Sequence, residues 1–389
     1  MTPTRRPASS DPVDTPSQML GGLTPAQFMR RHWQKKPLLI RSAFPDFQPL
    51  LTRPQLFALA ARESVESRLI VHKPTGWQLR HGPFARHAFP PFKQKRWTLL
   101  VQGVDLHLDA AHELLGRFRF VPDARLDDLM MSWASDGGGV GPHFDSYDVF
   151  LLQASGQRLW RIGRQKDLSL EPDVPLKILT HFQPEEEHLL GPGDMLYLPP
   201  RWAHDGIAVG DDCMTYSMGF RVPQRGGLAA ELLQRMADTF EDAALYRDPD
   251  QVATTTPACI PPALQAFAAD GLQRLLAQRQ SLACALGEVM TEPKPRVWFD
   301  EPAGEWAPGA VVLDRRTRMM YDDRHVFING EGFRAGGADA RLMRALADRR
   351  ALTGAQVLRA SADAQSLLQD WFEAGWLHRH AGQAGTLSV

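Results

Sequence analysis

Gly137-Gly138-Gly139-Val140-Gly141-Pro142-His143-Phe144-Asp145 and Gly193-Asp194-Met195-Leu196-Tyr197-Leu198-Pro199-Pro200-Arg201-Trp202-Ala203-His204 are the two stretches on which the chain turns. Around them, from Leu129 to Phe220, short apolar runs alternate with Gly, Pro and Asp turns: Val149 to Leu152, Leu159 to Ile162, Met195 to Leu198, Met214 to Phe220. Several short strands at that spacing predict a barrel or sandwich. Successive side chains of a strand point to opposite faces, so His143 and Asp145 share one face. The glycines before them let the backbone turn tightly. In the second stretch Gly193-Asp194 marks a turn, Met195 to Leu198 a strand, and Pro199-Pro200 a rigid corner ahead of His204.

Two imidazoles and one carboxylate leave half of an octahedral iron open for oxygen chemistry. The spacings fit the two cupin motifs. Gly137, five residues, His143-x-Asp145 and then Gly156 match the first; Gly193, five residues, Pro199, four residues and His204 match the second. Where many cupins carry a glutamate as fourth ligand this chain has Val149. The freed positions suit a co-substrate and dioxygen. The same ligands also suit zinc or manganese. His181 and His188 flank the acidic run Glu185-Glu186-Glu187 and read as solvated.

Tyr147 to Gln153 and Gln157 to Ile162 read as two strands joined by Ala154-Ser155-Gly156. A two-residue turn at Ser155-Gly156 puts Arg158 on the face of Asp145, Val149 and Leu151; one more turn residue flips it outward. An arginine inside a small barrel is costly unless it meets an anion. A dicarboxylic keto acid fits, its keto end on the metal and its far carboxylate on Arg158. Ser132, on a strand from Leu129 to Ser135, offers a hydroxyl to the same pocket, although an ordinary strand serine reads equally well. Thr215 and Ser217 are lesser candidates. Tyr147 and Asp136 stand close enough to the ligands to line a substrate mouth that welcomes a cationic side chain.

At 389 residues the chain exceeds one typical domain. Its formal net charge of −1 gives no global field to hold nucleic acid. Three cysteines without C-x-x-C spacing argue against a disulfide framework and fit a reducing cytosol. With no apolar run of membrane length and no signal-type N-terminus, a cytoplasmic protein is expected. Residues 1–18 have almost nothing to bury and predict a disordered tail. Helices are expected from Thr24 to Trp33, with Thr24 and Gln27 as a capping box, and from Pro54 to Glu63. Strands are expected over residues 37–41 and between Leu69 and Val104. After Pro223 the texture becomes helical, through Leu228, Leu232, Met236 and Phe240, then as one stripe from Leu264 to Met290. A Pro-bearing linker leads to a tail read as two strands (310–313, 325–328) and three helices (338–347, 354–359, 362–375). That tail carries eleven arginines against nine acidic residues, too balanced to argue DNA reading.

Phe28 to Pro37, Ser67-Arg68-Leu69, His81-Gly82-Pro83-Phe84, Asp128 to Ser132, Gly138 to Phe150 and Tyr216 to Phe220 resemble the JmjC-type 2-oxoglutarate oxygenases, in the branch of the bacterial ribosomal oxygenases. The resemblance implies a double-stranded β-helix (cupin) JmjC catalytic domain over residues 19–223 and a helical dimerisation segment over 224–291. A linker over 292–309 and a winged-helix-like α+β domain over 310–389 follow. It implies Fe(II) on His143, Asp145 and His204, and 2-oxoglutarate on Arg158 with Ser132. A second family serine is replaced by Ala134. The implied activity is hydroxylation of an arginine of a large-subunit ribosomal protein, by a homodimer. The alternatives are the same chemistry on a histidine or as N-demethylation, a non-enzymatic cupin assembly factor, and a metal-dependent isomerase.

Overall fold

The computed structural model describes residues 12–379, and the chain divides into two compact units after Val222. Of the tail expected to be disordered, residues 1–11 lie outside the described residues, while Pro12–Asp14 and Gln18–Leu20 form single 3-10 turns.

The first unit runs α1 (Pro25–Arg31), β1 (Leu38–Ile40), α2 (Arg53–Leu59), β2 (Ser67–Lys73), β3 (Gly76–His81) and β4 (Trp97–Val101). It continues through α3 (Asp109–Gly116), β5 (Leu126–Ala134), β6 (Val149–Gly163), β7 (Glu186–Leu190), β8 (Met195–Leu198) and β9 (Ala203–Phe220). Thr24 caps α1 as the sequence predicts, its hydroxyl accepting from Gln27 N at 3.1 Å while Gln27 reaches back to Thr24 N. The strands form one antiparallel sheet in the order β1-β8-β6-β9-β5-β4-β2-β3, with β7 also on β6.

Each face of this sheet buries a separate apolar set, the arrangement of a double-stranded β-helix. Met131, Trp133, Phe150, Leu152, Tyr197 and Tyr216 face outward into the main core, against Phe28 of α1, Leu56 of α2 and Phe118 after α3. Val149, Leu151, Trp160, Ile162, Leu196 and Leu198 face the interior. Each of these larger side chains contributes about 1.5–3 kcal/mol by leaving water.

The hairpin expected at Ser155-Gly156 does not form. β6 is one strand of 15 residues that stays beside β9 along both halves, from Val149↔Gly219 to Gly163↔Ala203. The register slips on both sides of Ser155, and Gly156 takes φ +63. Opposite it, β9 loops out where Gly210 (φ +76) and Asp212 (φ +56) turn left-handed. Turn-forming residues here make a bulge, because a glycine inside a strand relieves pairing without ending it. The slip changes parity, so Arg158, Trp160 and Ile162 join the odd-numbered Val149 and Leu151 on the inner face.

The second unit holds α4 (Arg225–Asp238), α5 (Pro262–Ala277) and α6 (Arg279–Thr291). The expected single stripe from Leu264 to Met290 breaks at Gln278, whose backbone leaves the helical region at ψ 73. Next come β10 (Val311–Leu313), β11 (Met319–Tyr321), β12 (His325–Ile328), β13 (Glu331–Arg334), α7 (Gly337–Arg349), β14 (Ala351–Leu352), α8 (Gly354–Leu358), α9 (Ala362–Glu373) and β15 (Leu377–Arg379). Two three-stranded sheets, β14-β10-β15 and β11-β12-β13, pack with α7 and α9 around Val311, Leu346, Leu368 and Trp371. β10 and β12 are the two strands expected from their apolar runs, whereas β11, β13, β14 and β15, of two to four residues, lack a comparable run. Among the described residues no helix is long and apolar enough to cross a membrane.

Asp314, after β10, fastens this small core. Its carboxylate accepts from Arg316 Nε at 2.7 Å and from His378 Nε2 at 2.8 Å. Burial pushes this carboxyl up, but the Arg316 and His378 donors outweigh it and hold it well below the usual carboxylate range. Stability from such a depressed group is complete above the unfolded pKa of about 3.9 and is lost as pH falls through the folded value. Asp314→Asn should therefore cost about 3 kcal/mol at neutral pH. It should also flatten the acid-induced loss below about pH 4, read by urea unfolding across a pH series.

Candidate metal and co-substrate site

His143 and His204 face each other across a two-residue bridge, His143 N donating to His204 O at 2.9 Å and His204 N to His143 O at 2.8 Å. Backbone pairing thus sets the separation of the two imidazoles, whose ring centroids are 4.2 Å apart. Asp145 lies on the same face, its Oδ2 4.0 Å from His143 Nε2 and 3.7 Å from His204 Nε2. One ligand atom from each of the three lies within 4.8 Å of the others, close enough to share an ion. Among the described residues no fourth His, Cys, Asp or Glu joins the group, and Val149 stays apolar at 4 % exposure.

Each imidazole is set by its own backbone. His143 Nδ1 lies 2.9 Å from Gly141 O, and His204 Nδ1 lies 2.9 Å from Trp202 O. A carbonyl can only accept, so both Nδ1 atoms carry a proton and each ring turns its Nε2 toward the shared face. Burial, together with the neighbouring His143, pushes His204 down to about 4 against the pull of Asp145, so it is neutral at physiological pH. Gly141 is required here: at φ +81 a Cβ would stand 2.5 Å from Ile178 and 2.9 Å from the Trp77 ring. Behind the ligands, Arg201 N donates to Asp145 O at 2.7 Å. The fully buried Asp148 accepts from Tyr197 Oη at 2.6 Å and Gln34 Nε2 at 3.0 Å, which fixes the end of the ligand loop.

Arg158 is 4 % exposed. Its Nη1 donates to Gly206 O at 3.1 Å, while Nε and Nη2 are buried with no partner. Among the described residues no carboxylate pairs with it. A buried cation with two idle N–H groups carries a desolvation penalty of several kcal/mol unless an anion arrives. The pocket therefore fits a carboxylate. Ser132, also buried, donates to Thr215 O at 3.2 Å, and Thr215 Oγ1 donates to Gln153 Oε1 at 2.9 Å. The Ser132 proton is thus engaged, and its oxygen remains as an acceptor or, after rotation, a donor.

At the mouth the two candidates diverge. Asp136 is taken by Lys95 Nζ at 2.7 Å and Gly210 N at 3.0 Å and is not free to line an opening. Tyr147 is 39 % exposed, and partial burial together with the nearby negative charges of Asp145 and Asp128 pushes its phenol above the ordinary value. Asp128, which sequence reasoning missed, is buried and accepts from Gln102 Nε2 at 2.8 Å and Gly103 N at 2.9 Å. Its signal was available: Asp128 and Met130 share the parity of Ser132 on β5. His181, near Asp167, is exposed as expected. His188 is not: it pairs with Glu186, is only 18% exposed, and stands opposite Trp160 on the inner face of β7.

A double-stranded β-helix with this His/Asp/His group and a buried, anion-seeking arginine defines the class of JmjC-type Fe(II)/2-oxoglutarate oxygenases. Family models agree: residues 113–228 match the JmjC domain, and residues 274–378 match the ROXA-like winged helix. The ribosomal protein uL16 3-hydroxylase of Escherichia coli is 34% identical over 323 residues, covering 78% of this chain and 84% of that one. A probable ribosomal oxygenase of Haemophilus influenzae is 35% identical over 232 residues, 59% of this chain and 55% of that one. The crystal structure of E. coli ycfD superimposes with a TM-score of 0.79 at 30% identity, over 90% of this chain and 97% of that one. The YcfD complex with cobalt and 2-oxoglutarate gives 0.78 at 30% identity, over 91% and 98%. The chain belongs to the JmjC ribosomal oxygenase family.

Arg158→Met keeps most of the side-chain volume and removes the unpaired charge. In ligand-free protein it should raise the unfolding free energy by about 1–4 kcal/mol, measured by urea denaturation. A loss of stability would mean that the guanidinium is not in deficit.

Proposed function

We propose that this chain hydroxylates an arginine side chain of a large-subunit ribosomal protein in the cytoplasm. His143, Asp145 and His204 hold the iron, and Arg158 holds the far carboxylate of 2-oxoglutarate beside Ser132. The observation that carries this reading is Arg158, an interior cation that lacks its anion a short way along the inner face from three convergent ligands. Iron(II), when bound with 2-oxoglutarate and dioxygen, supplies the oxidising power for hydroxylating an unactivated carbon, and the co-substrate leaves as succinate and carbon dioxide.

The residues supply orientation and exclusion of water. The Nδ1–H bonds to Gly141 O and Trp202 O orient both imidazoles with Nε2 toward the metal position. The inner apolar wall of Val149, Leu151, Ile162 and Leu198 keeps water from the reacting centre. The partly exposed Tyr147 ring favours a cationic side chain at the mouth, which supports arginine over a neutral target. The relative named as a bifunctional lysine-specific demethylase and histidyl-hydroxylase from Drosophila persimilis is 24% identical over 51% of this chain and 30% of that one. Its named activities are the alternatives.

Ribosomal proteins from a strain lacking this gene, compared with its parent by peptide mass spectrometry, should lose one oxygen from a single arginine-bearing peptide. An unchanged arginine peptide with an altered histidine peptide would favour the alternative. In anaerobic titrations His143→Ala should abolish metal-dependent 2-oxoglutarate binding. Arg158→Ala should weaken it by about 100-fold, as expected for losing a charge-assisted bidentate contact.

Self-association through α4, α5 and α6 is part of the same proposal. Leu233, Phe267, Leu272, Leu276 and Leu286 are all at least 39% exposed there, a cluster of apolar side chains that a partner surface would cover. Sedimentation velocity should find a dimer, and Leu272→Glu with Leu276→Glu should convert it to monomer.

A further inference from the structure

Beside Arg158 on the inner face, the mechanism above leaves a second buried residue with an idle donor. Trp160 lies on β6 two residues beyond Arg158, on the same inner face, and is 6 % exposed. Across the strand pair it stands opposite Gly206, and its neighbour in that register, Ile162, stands opposite His204. The indole is flanked on both sides by the site. The Arg158 guanidinium carbon is 5.7 Å from its ring, and the His204 ring centroid is 5.9 Å away. Its indole Nε1–H is buried and has no acceptor.

The position of the ring is forced. A Cβ on Gly206 would fall 2.6 Å from Trp160 Cζ3, so the benzo edge lies flush on the bare backbone of β9 and cannot move that way. The pyrrole edge, with the N–H, is therefore the edge directed away from Gly206. Phenylalanine would fill an apolar wall without stranding a donor, whereas a buried unmade N–H costs about 1–3 kcal/mol. Tryptophans placed in interiors ordinarily satisfy that group.

We infer that Trp160 is a binding residue for the co-substrate, its Nε1–H donating to a carboxylate oxygen of 2-oxoglutarate between Arg158 and the metal ligands. This rests on the reading of the site as a 2-oxoglutarate pocket. It accounts for three idle donors in one place, Arg158 Nε, Arg158 Nη2 and Trp160 Nε1, which together match the acceptor-rich ends of a dicarboxylate.

The test is anaerobic titration of 2-oxoglutarate into Co(II)-loaded protein, following the cobalt absorbance, for wild type and Trp160→Phe. The variant should bind Co(II) normally and 2-oxoglutarate about 10- to 100-fold more weakly, the range for a hydrogen bond to a charged acceptor. Equal co-substrate affinity in the two proteins would overturn the inference while leaving the pocket reading intact. Wild type that binds Co(II) but not 2-oxoglutarate would overturn the pocket reading itself. Should Trp160→Phe fail to fold, ultraviolet resonance Raman of the wild type decides. Its indole N–H marker band should shift to the hydrogen-bonded position for one tryptophan when 2-oxoglutarate is added, and an unshifted band would sink the assignment.

Discussion

Everything at the site depends on the long antiparallel pairing of β6 with β9. Two strands that run side by side past a shared irregularity place residues from four points of the sequence on one surface. The outer half of the pair brings Ile162 opposite His204; the middle brings Trp160 opposite Gly206 and Arg158 opposite Ala208; the inner half brings Gln153 opposite Thr215. The irregularity is structural work, because without the slip at Ser155 the alternation would carry Arg158 and Trp160 to the opposite face. Main-chain hydrogen bonds across the ladder then hold every one of these side chains at a fixed height.

The second constraint is that the ligand atoms are aimed by backbone carbonyls. Gly141 O and Trp202 O each take an Nδ1–H two residues from the ring that donates it. Such short local contacts survive small movements elsewhere in the sheet. They also point the outward nitrogen of each ring at the metal position in the ligand-free protein. Metal binding therefore needs little rearrangement of side chains, in keeping with a site pre-formed by its fold.

Much of this was legible in the chain because it follows from period and spacing. His143 and Asp145 share a strand face by alternation, and the Gly193–Pro199–His204 spacing brings the third ligand back. The capping box at Thr24 needed only local hydrogen bonding. Arg158 was placed inside for an incorrect local reason: Ser155-Gly156 has the chemistry of a turn, and only pairing with β9 keeps the strand going. Asp136 failed as a mouth residue because Lys95, distant in sequence, captures it. Asp128 and Trp160 were overlooked because a strand acid and a strand tryptophan look ordinary until burial and missing partners are known. The break at Gln278 was invisible because the apolar stripe continues through it on either side.

The unpaired interior guanidinium makes folding and ligation one equilibrium. A molecule that binds only the native chain stabilises it by RT ln(1 + [L]/Kd), about 2.7 kcal/mol at a hundredfold excess over Kd. Unfolded chain has no reason to retain a dicarboxylate, so the whole of that term accrues to the native form. The lifetime of the enzyme against proteolysis thereby becomes a function of the supply of its keto acid. Cells short of that metabolite would keep less of the catalyst as well as running it more slowly.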